Sequence, residues 1–442
     1  MSASTAHRTR VSHNGLAHAT CSTARRVASA LRTSRIALRT FPASRFLVLV
    51  SVSWRLGVPA ADAPGGPTFR AVEIDAHVAI GYGVAAADVD GDARPDILLA
   101  DKKQIVWYRN PGWEKFVIAE DLTTHDNVCL AAADLNSDGK AEIAVGAGWN
   151  PGDTVGSGAV FYLLPPADRT QRWKPLPLHH EPTVHRMRWI SSPVGGSELV
   201  VVPLHGRGNQ NARGVGVRIL AYRMPANPRD QWRTELIDGS LHATHNFDLV
   251  RWSEPASDEL LLAAKEGVFH FARNGTNWVS CQLPGVASTN GAGEVRAGRL
   301  PGGRRFVATI EPMHGNQLLL YLEPASDTGS WERRILDDSL KEGHALACGD
   351  VLGTGSDQIL MGWRARNNDG KVGVKLYRPL DQTGKKWEQT LVDDNTVACE
   401  DLCLADLNQD GRLDIVAAGR ATHNLKVFFS TSSSRRLGLA DE

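Results

Sequence analysis

The stretch DLNSDGKAEIAVG (residues 134–146) runs from an acidic loop straight into an apolar strand, and the chain repeats it. DVDGDARPDILLA (88–100) and DLNQDGRLDIVAAG (406–419) keep its spacing, and GDVLGTGSDQILMG (349–362) is a worn copy. Oxygen-bearing side chains at the first, third, fifth and ninth positions, with Gly near the sharpest bend, suit a hard cation that takes only oxygen ligands. Calcium is the expected occupant. Its ligands would be Asp88, Asp90, Asp92 and Asp96; Asp134, Asn136, Asp138 and Glu142; and Asp406, Asn408, Asp410 and Asp414. The worn copy keeps only Asp350 and Asp357, one residue closer together, so little or no calcium is expected there.

Working outward, each copy is followed by a polar loop, a β-rich run such as IVWYRN or AVFYLL, and then Trp with an alternating tail, as in WEKFVIAED and WERRILDD. That is four short strands per unit. Three further units, opening at His185, His245 and Gly293, lack the acidic loop but keep the strand pattern. Seven units between Phe69 and Ser430 average roughly 52 residues, the period of four-stranded propeller blades and not of helical repeats. The fold class is therefore all-β, a seven-bladed β-propeller. The Trp-tailed strand occurs only six times after a blade, and FRAVEID (Phe69 to Asp75) supplies the missing pattern, so an N-terminal strand is expected to close the last blade.

One propeller, residues 67–432, uses nearly all of the chain, leaving a short tail at 433–442. Residues 1–66 are basic: the first 61 hold nine Arg and no acidic side chain, and they end in FLVLVSVSW followed by small residues. A basic region, a short apolar core and a cleavage zone in that order read as an export signal, which places the mature protein in the periplasm or outside the cell. Losing residues 1–63 removes nine Arg and one Asp from 49 basic and 49 acidic groups, for a net charge of −8. An acidic surface argues against nucleic acid or anionic lipid as partner, and no apolar stretch is long enough to span a bilayer. Five Cys remain after Cys21 is set aside, with no framework spacing, so they read as structural thiols, and Cys129, Cys348, Cys399 and Cys403, in or beside innermost strands, as small buried apolar groups. Oligomeric state is not encoded in any of these features.

Six positions before the first acidic position, where the chain enters each innermost strand from the upper face, stand His185, His245, His344 and Glu400 in blades 3, 4, 6 and 7. Glu294 of blade 5 falls there with a one-residue gap, while Tyr82 and Val128 fill the place in blades 1 and 2. Equivalent positions around a ring point to a common axis. Three imidazoles and two carboxylates at the channel mouth would suit a divalent transition metal, zinc foremost, with a coordination position left open. A lone His near a strand start is usually a satisfied core or surface group; recurrence at one register is what favours a site.

Loops between second and third strands must reach the same upper face, because successive strands are antiparallel. They carry Trp149, Asn150, His205, Arg207, His314, Asn316, Trp363, Arg364, Arg420, His423 and Asn424. Aromatic platforms, amides and cations around a polar mouth suit a small carbohydrate. Trp149, Asn150, Arg207, Asn316, Trp363 and Asn424 are the expected substrate contacts. His205, His314, Arg364, Arg420 and His423 are the expected catalytic groups, an imidazole acting as base and the guanidiniums holding oxygen atoms. There is no G-x-S-x-G elbow, H-E-x-x-H helix, P-loop or dinucleotide fingerprint, so serine hydrolase, zincin and nucleotide chemistries have no support.

The D-x-[DN]-x-D-G-x-x-[DE] loops resemble those of the FG-GAP/VCBS repeat propellers, most closely in blades 2 and 7. That family includes adhesion modules, lectins and enzymes, so the fold alone does not choose among them. The His-rich mouth (EPTVHRMRW, PLHGRGN, LHATHNFD, EPMHGN, EGHALACGD, GRATHN) is similar to the propeller domain of aldos-2-ulose dehydratase. That resemblance implies a metal-dependent lyase that dehydrates keto-sugars such as 1,5-anhydrofructose, although this chain has no room for the cupin domains that follow the propeller in that enzyme. The alternative is a calcium-stabilised propeller that binds carbohydrate or protein without catalysis.

Overall fold

In a computed structural model the described residues are 67–431, apart from 254–256, 286–290 and 327–328. The expected export signal and the C-terminal tail lie outside them. The described residues form seven antiparallel four-stranded sheets in a ring. Blades 1 to 6 span residues 83–120, 129–178, 184–238, 244–282, 294–337 and 343–394. Blade 7 combines residues 399–430 with the N-terminal strand Phe69–Asp75, which pairs with Asn424–Ser430 from Phe69 opposite Ser430 to Asp75 opposite Leu425. Just beyond the ladder, the Thr431 amide donates to the Thr68 carbonyl at 3.0 Å, and the two threonine hydroxyls meet at 2.8 Å. The open edge that a seam would leave is thereby paired.

Second strands such as Asp96–Ala100 are buried throughout, because each stands between two neighbouring blades. Side chains alternate along a strand, so Ile97 and Leu99 pack on blade 7 while Leu98 and Ala100 pack on blade 2. Every blade–blade junction has its own apolar cluster of this kind. The recurring Trp fills it from outside. Trp173, Trp232, Trp331 and Trp387 each pack in the junction with the preceding blade. At about 25 cal/mol per Å² of apolar area removed from water, these junctions supply most of the driving force. The five cysteines of the described residues are all free, as their spacing implies. Among the described residues no helix is long and apolar enough to cross a membrane.

A candidate metal centre at the channel mouth

Each innermost strand starts at the upper mouth, and its first side chains close a ring. His185, His245 and His344 are all at least 96% buried. Each leans on the next blade in the same way: Nδ1 of His185 donates to the His245 carbonyl (2.8 Å), Nδ1 of His245 to the Gly293 carbonyl (2.9 Å), and Nδ1 of His344 to the Glu400 carbonyl (2.6 Å). A carbonyl only accepts, so the proton sits on Nδ1 and Nε2 carries the lone pair. Burial first, and nearby guanidiniums second, hold His245 and His344 well below the usual imidazole range. Burial and the neighbouring His245 bring His314 down to about 2. These imidazoles are neutral, the form that ligates metal.

His314 arrives from the loop between the second and third strands of blade 5 and occupies the left-handed backbone region (φ 53°). The adjacent Gly315 makes that tight turn possible, since a Cβ there would lie 2.3 Å from the Glu311 carbonyl carbon. His314 Nε2 stands 2.5 Å from His245 Nε2. One ring nitrogen from each of His245, His314 and His344 falls within 4.8 Å of the others. With two Nε2 atoms face to face, either a proton or a cation must sit between them. Glu294 backs this trio: Oε1 is 3.1 Å from His245 Nδ1, and Oε2 accepts from Asn246 Nδ2 at 2.7 Å. The backbone carbonyls that accept from Nδ1 of His245 and His344 fix the orientation of both rings, so the donor set fits a transition metal.

The lower face is built differently. In blade 2, Asp134 accepts amides of Ser137, Asp138 and Gly139, and Glu142 accepts the Leu135 amide at 2.8 Å. Blade 7 repeats this with Asp406 accepting from Asp410 and Gly411, and Asp414 from Leu407. In blade 1 the carboxylates of Asp88, Asp90 and Asp96 gather within 4.8 Å. Burial, with Asp90 and Asp92 as lesser causes, pushes Asp96 up to about 7, a crowding of negative charge that a cation would relieve. Arg109 already pairs with Asp90 at 2.9 Å.

Residues 88–145 match the FG-GAP-like repeat family, and residues 130–163 match the FG-GAP repeat. The chain carries FG-GAP repeats. A further stretch of the propeller, residues 157–324, matches the β-propeller domain of aldos-2-ulose dehydratase. No curated protein matches. Similar solved structures include BBS1N in complex with ARL6DN soaked with lead (13% identity, TM-score 0.52, 84% of this chain and 99% of that one). The mercury-soaked form of the same complex is similar too (12% identity, TM-score 0.53, 84% and 99%). So is a chain of a mitotic checkpoint complex (12% identity, TM-score 0.51, 87% and 98%). At such identities these show the fold alone.

The propeller distributes the sequence-derived residues unevenly. His314, expected as a base, joins His245 and His344 in the trio. His185 stays outside it, because Arg186 Nη1 lies 3.3 Å from its Nε2 and occupies that lone pair; its ring instead stacks on Trp149 at 4.9 Å. Glu400 is gripped by Arg364 (2.9 and 3.0 Å) and Arg420 (2.9 Å), so it anchors two cations at the mouth and is not free for a metal. His205 keeps a buried Nδ1 without a partner. Arg207 spans to Glu181 and the Val155 carbonyl, Asn150 caps the Gly152 turn, and Asn316 is exposed.

Three residues have structural posts instead. Trp363 is 2% exposed with Nε1 donating to the Lys371 carbonyl, and Asn424 donates to the Thr396 carbonyl. His423 fastens the ring seam through the Val78 and Ala79 carbonyls. In blade 6 the ninth position is Gln358, which accepts the Leu352 amide six residues back where the other loops span seven, while Asp357 turns away to the Arg299 amide. The worn loop is therefore full length, with an amide where the others have a carboxylate. Sequence reading passed over Asp126, whose carboxylate accepts the Tyr82 hydroxyl at 3.1 Å beside Arg420. Tyr82 holding the blade-1 place in the ring was the available signal.

Proposed function

We propose that this propeller is a metal-dependent carbon–oxygen lyase that dehydrates keto-sugars, such as 1,5-anhydrofructose, at its upper mouth. The observation that carries the reading is the gathering of three neutral imidazoles, from His245, His314 and His344, inside a ring of polar groups. The match of residues 157–324 to the propeller of aldos-2-ulose dehydratase supports the substrate class. A divalent transition metal held by the trio, zinc in the first instance, would polarise the substrate carbonyl as a Lewis acid.

The chain's own groups do the rest. Arg364 and Arg420, held rigid by Glu400, present N–H donors toward hydroxyl oxygens and developing negative charge. Trp149, flat against His185, offers an apolar platform for one face of the sugar. Asp126 accepts the proton from the carbon beside the carbonyl and returns it to the departing hydroxyl, so water leaves and a carbon–carbon double bond forms in conjugation with the carbonyl. The Tyr82 hydroxyl holds that carboxylate in place. Calcium in the loops of blades 1, 2 and 7 stiffens the lower face, and the order of basic, apolar and small residues before residue 64 supports export.

Metal analysis of the purified protein, paired with ultraviolet detection of the conjugated enone from 1,5-anhydrofructose and other keto-sugars, tests the reading. A transition metal near one equivalent with a rising absorbance is the expected result. Calcium without a second metal and a flat absorbance would leave a calcium-stiffened binding propeller.

A further inference from the structure

Below the trio, the central channel opens into a cavity of about 430 Å³ lined by the innermost strands. Arg186 and Arg188 of blade 3 and Arg296 of blade 5 all face it, with Asn246 of blade 4 between them. Each guanidinium is tethered alike, one Nη1 folding back onto the carbonyl of the preceding residue: His185 (2.9 Å), Met187 (3.4 Å) and Val295 (2.6 Å). The Arg188 head also lies over the Phe247 ring, 5.2 Å from its centroid. Arg186 is 5% exposed, and its Nε and Nη2 have no hydrogen-bond partner. Buried donors of a cation are seldom left unmade without a ligand to take them.

Asp248, Asp401 and Glu294 offset part of this charge at a distance but do not take up the open donors of Arg186. Asp248 Oδ2 already accepts the Ala297 amide, and Asp401 Oδ2 the Val84 amide, each at 2.9 Å. Among the described residues, Arg296 to Glu294 at 3.7 Å is the sole ion pair that any of the three arginines makes. Burial first, and the nearby Arg296 second, disfavour the charge of Arg188, while Asp248 and Asp401 favour it. Three guanidiniums converging on one wet cavity make a fork-shaped donor set suited to a phosphate, sulfate or carboxylate group.

We propose that the channel beneath the His trio is a binding site for a small oxyanion, held by Arg186, Arg188 and Arg296 with Asn246. It is separate from the keto-sugar site and needs no metal in the trio. Calorimetric titration of the purified chain with inorganic phosphate, sulfate and glucuronate tests it. At least one should bind with a dissociation constant of about 1 mM or tighter, and Arg188→Gln should weaken it by about tenfold or more, since a charge-assisted pair is lost. Arg188→Lys should recover part of the loss.

Phosphate or sulfate binding without glucuronate identifies a free inorganic ion; tighter glucuronate identifies the carboxylate of an organic ligand. Should Arg188→Gln fail to fold, Arg296→Gln and a selenate soak of wild-type crystals replace it, with anomalous density expected among the three guanidiniums. No binding by any of the three anions, or undiminished binding in a folded Arg188→Gln protein, overturns the proposal.

Discussion

Blades 7, 1 and 2 form one arc of the ring and blades 3 to 6 the other, and the two build their polar sites by different means. In the first arc each acidic loop wraps around its own leading carboxylate, so the site closes within nine residues of one chain segment. In the second arc His185, His245 and His344 are each aimed by a carbonyl of the next blade, and the trio draws on blades 4, 5 and 6. A loop site is therefore a local property that survives on its own blade. The mouth site belongs to the closed ring.

Breaking the ring should show this most severely. Deletion of residues 67–75 exposes the edge of Asn424–Ser430 and uncovers the junction of blades 7 and 1, where Val72 and Ile74 pack. Cooperative thermal unfolding, followed by circular dichroism, should be lost, and with it any transition metal. A protein that still melted in one sharp step would mean the seam contributes little and the two arcs are independent.

His344→Ala separates the arcs without opening the ring. It removes one imidazole of the trio and one hydrogen bond to Glu400, a stability cost of about 1–2 kcal/mol. Enone formation should fall by about a thousandfold if carbonyl polarisation is lost, with transition metal gone and calcium retained. Asp134→Asn is its mirror image. A calcium site filled at about a hundred times its dissociation constant contributes about 2.7 kcal/mol, so this variant should melt several degrees lower and lose one calcium while activity at low temperature persists. Equal loss of both metals in either variant would erase the distinction.

The same contrast governs what could be read from residues alone. The acidic loops were legible because their ligands are contiguous and their spacing is set by one backbone turn. The blade count followed from Trp113, Trp173, Trp232 and their successors, since each fills a junction that any such ring must have. At the mouth, register located His185, His245 and His344 but could not say which would share an ion. That was decided by Arg186, one residue along the strand, which caps the His185 lone pair, and by the left-handed turn that swings His314 inward. Trp363, Asn424 and His423 looked like mouth groups because loops are polar; their partners lie in the junctions and the seam.

Blade 6 sits where the two arcs meet in character, and it offers the smallest and most specific test. It contributes His344 above, and below it keeps the loop fold without the ligands: Asp350 accepts the amides of Thr354 and Gly355, and Gln358 stands at the ninth position. Leu352 and Thr354 occupy the third and fifth positions, so one carboxylate faces a turn that the backbone already satisfies. Asp350→Asn removes one of two acceptor oxygens and should cost about 1 kcal/mol, the net value of a single hydrogen bond. The loss should be the same with and without calcium, whereas the Asp134→Asn loss should shrink to about the same 1 kcal/mol once calcium is withheld from both proteins, since Asp134 also accepts loop amides. If blade 6 instead responded to calcium as blade 2 does, the loop geometry would matter more than its charge, and the division of the ring into a cation arc and an imidazole arc would have to be redrawn.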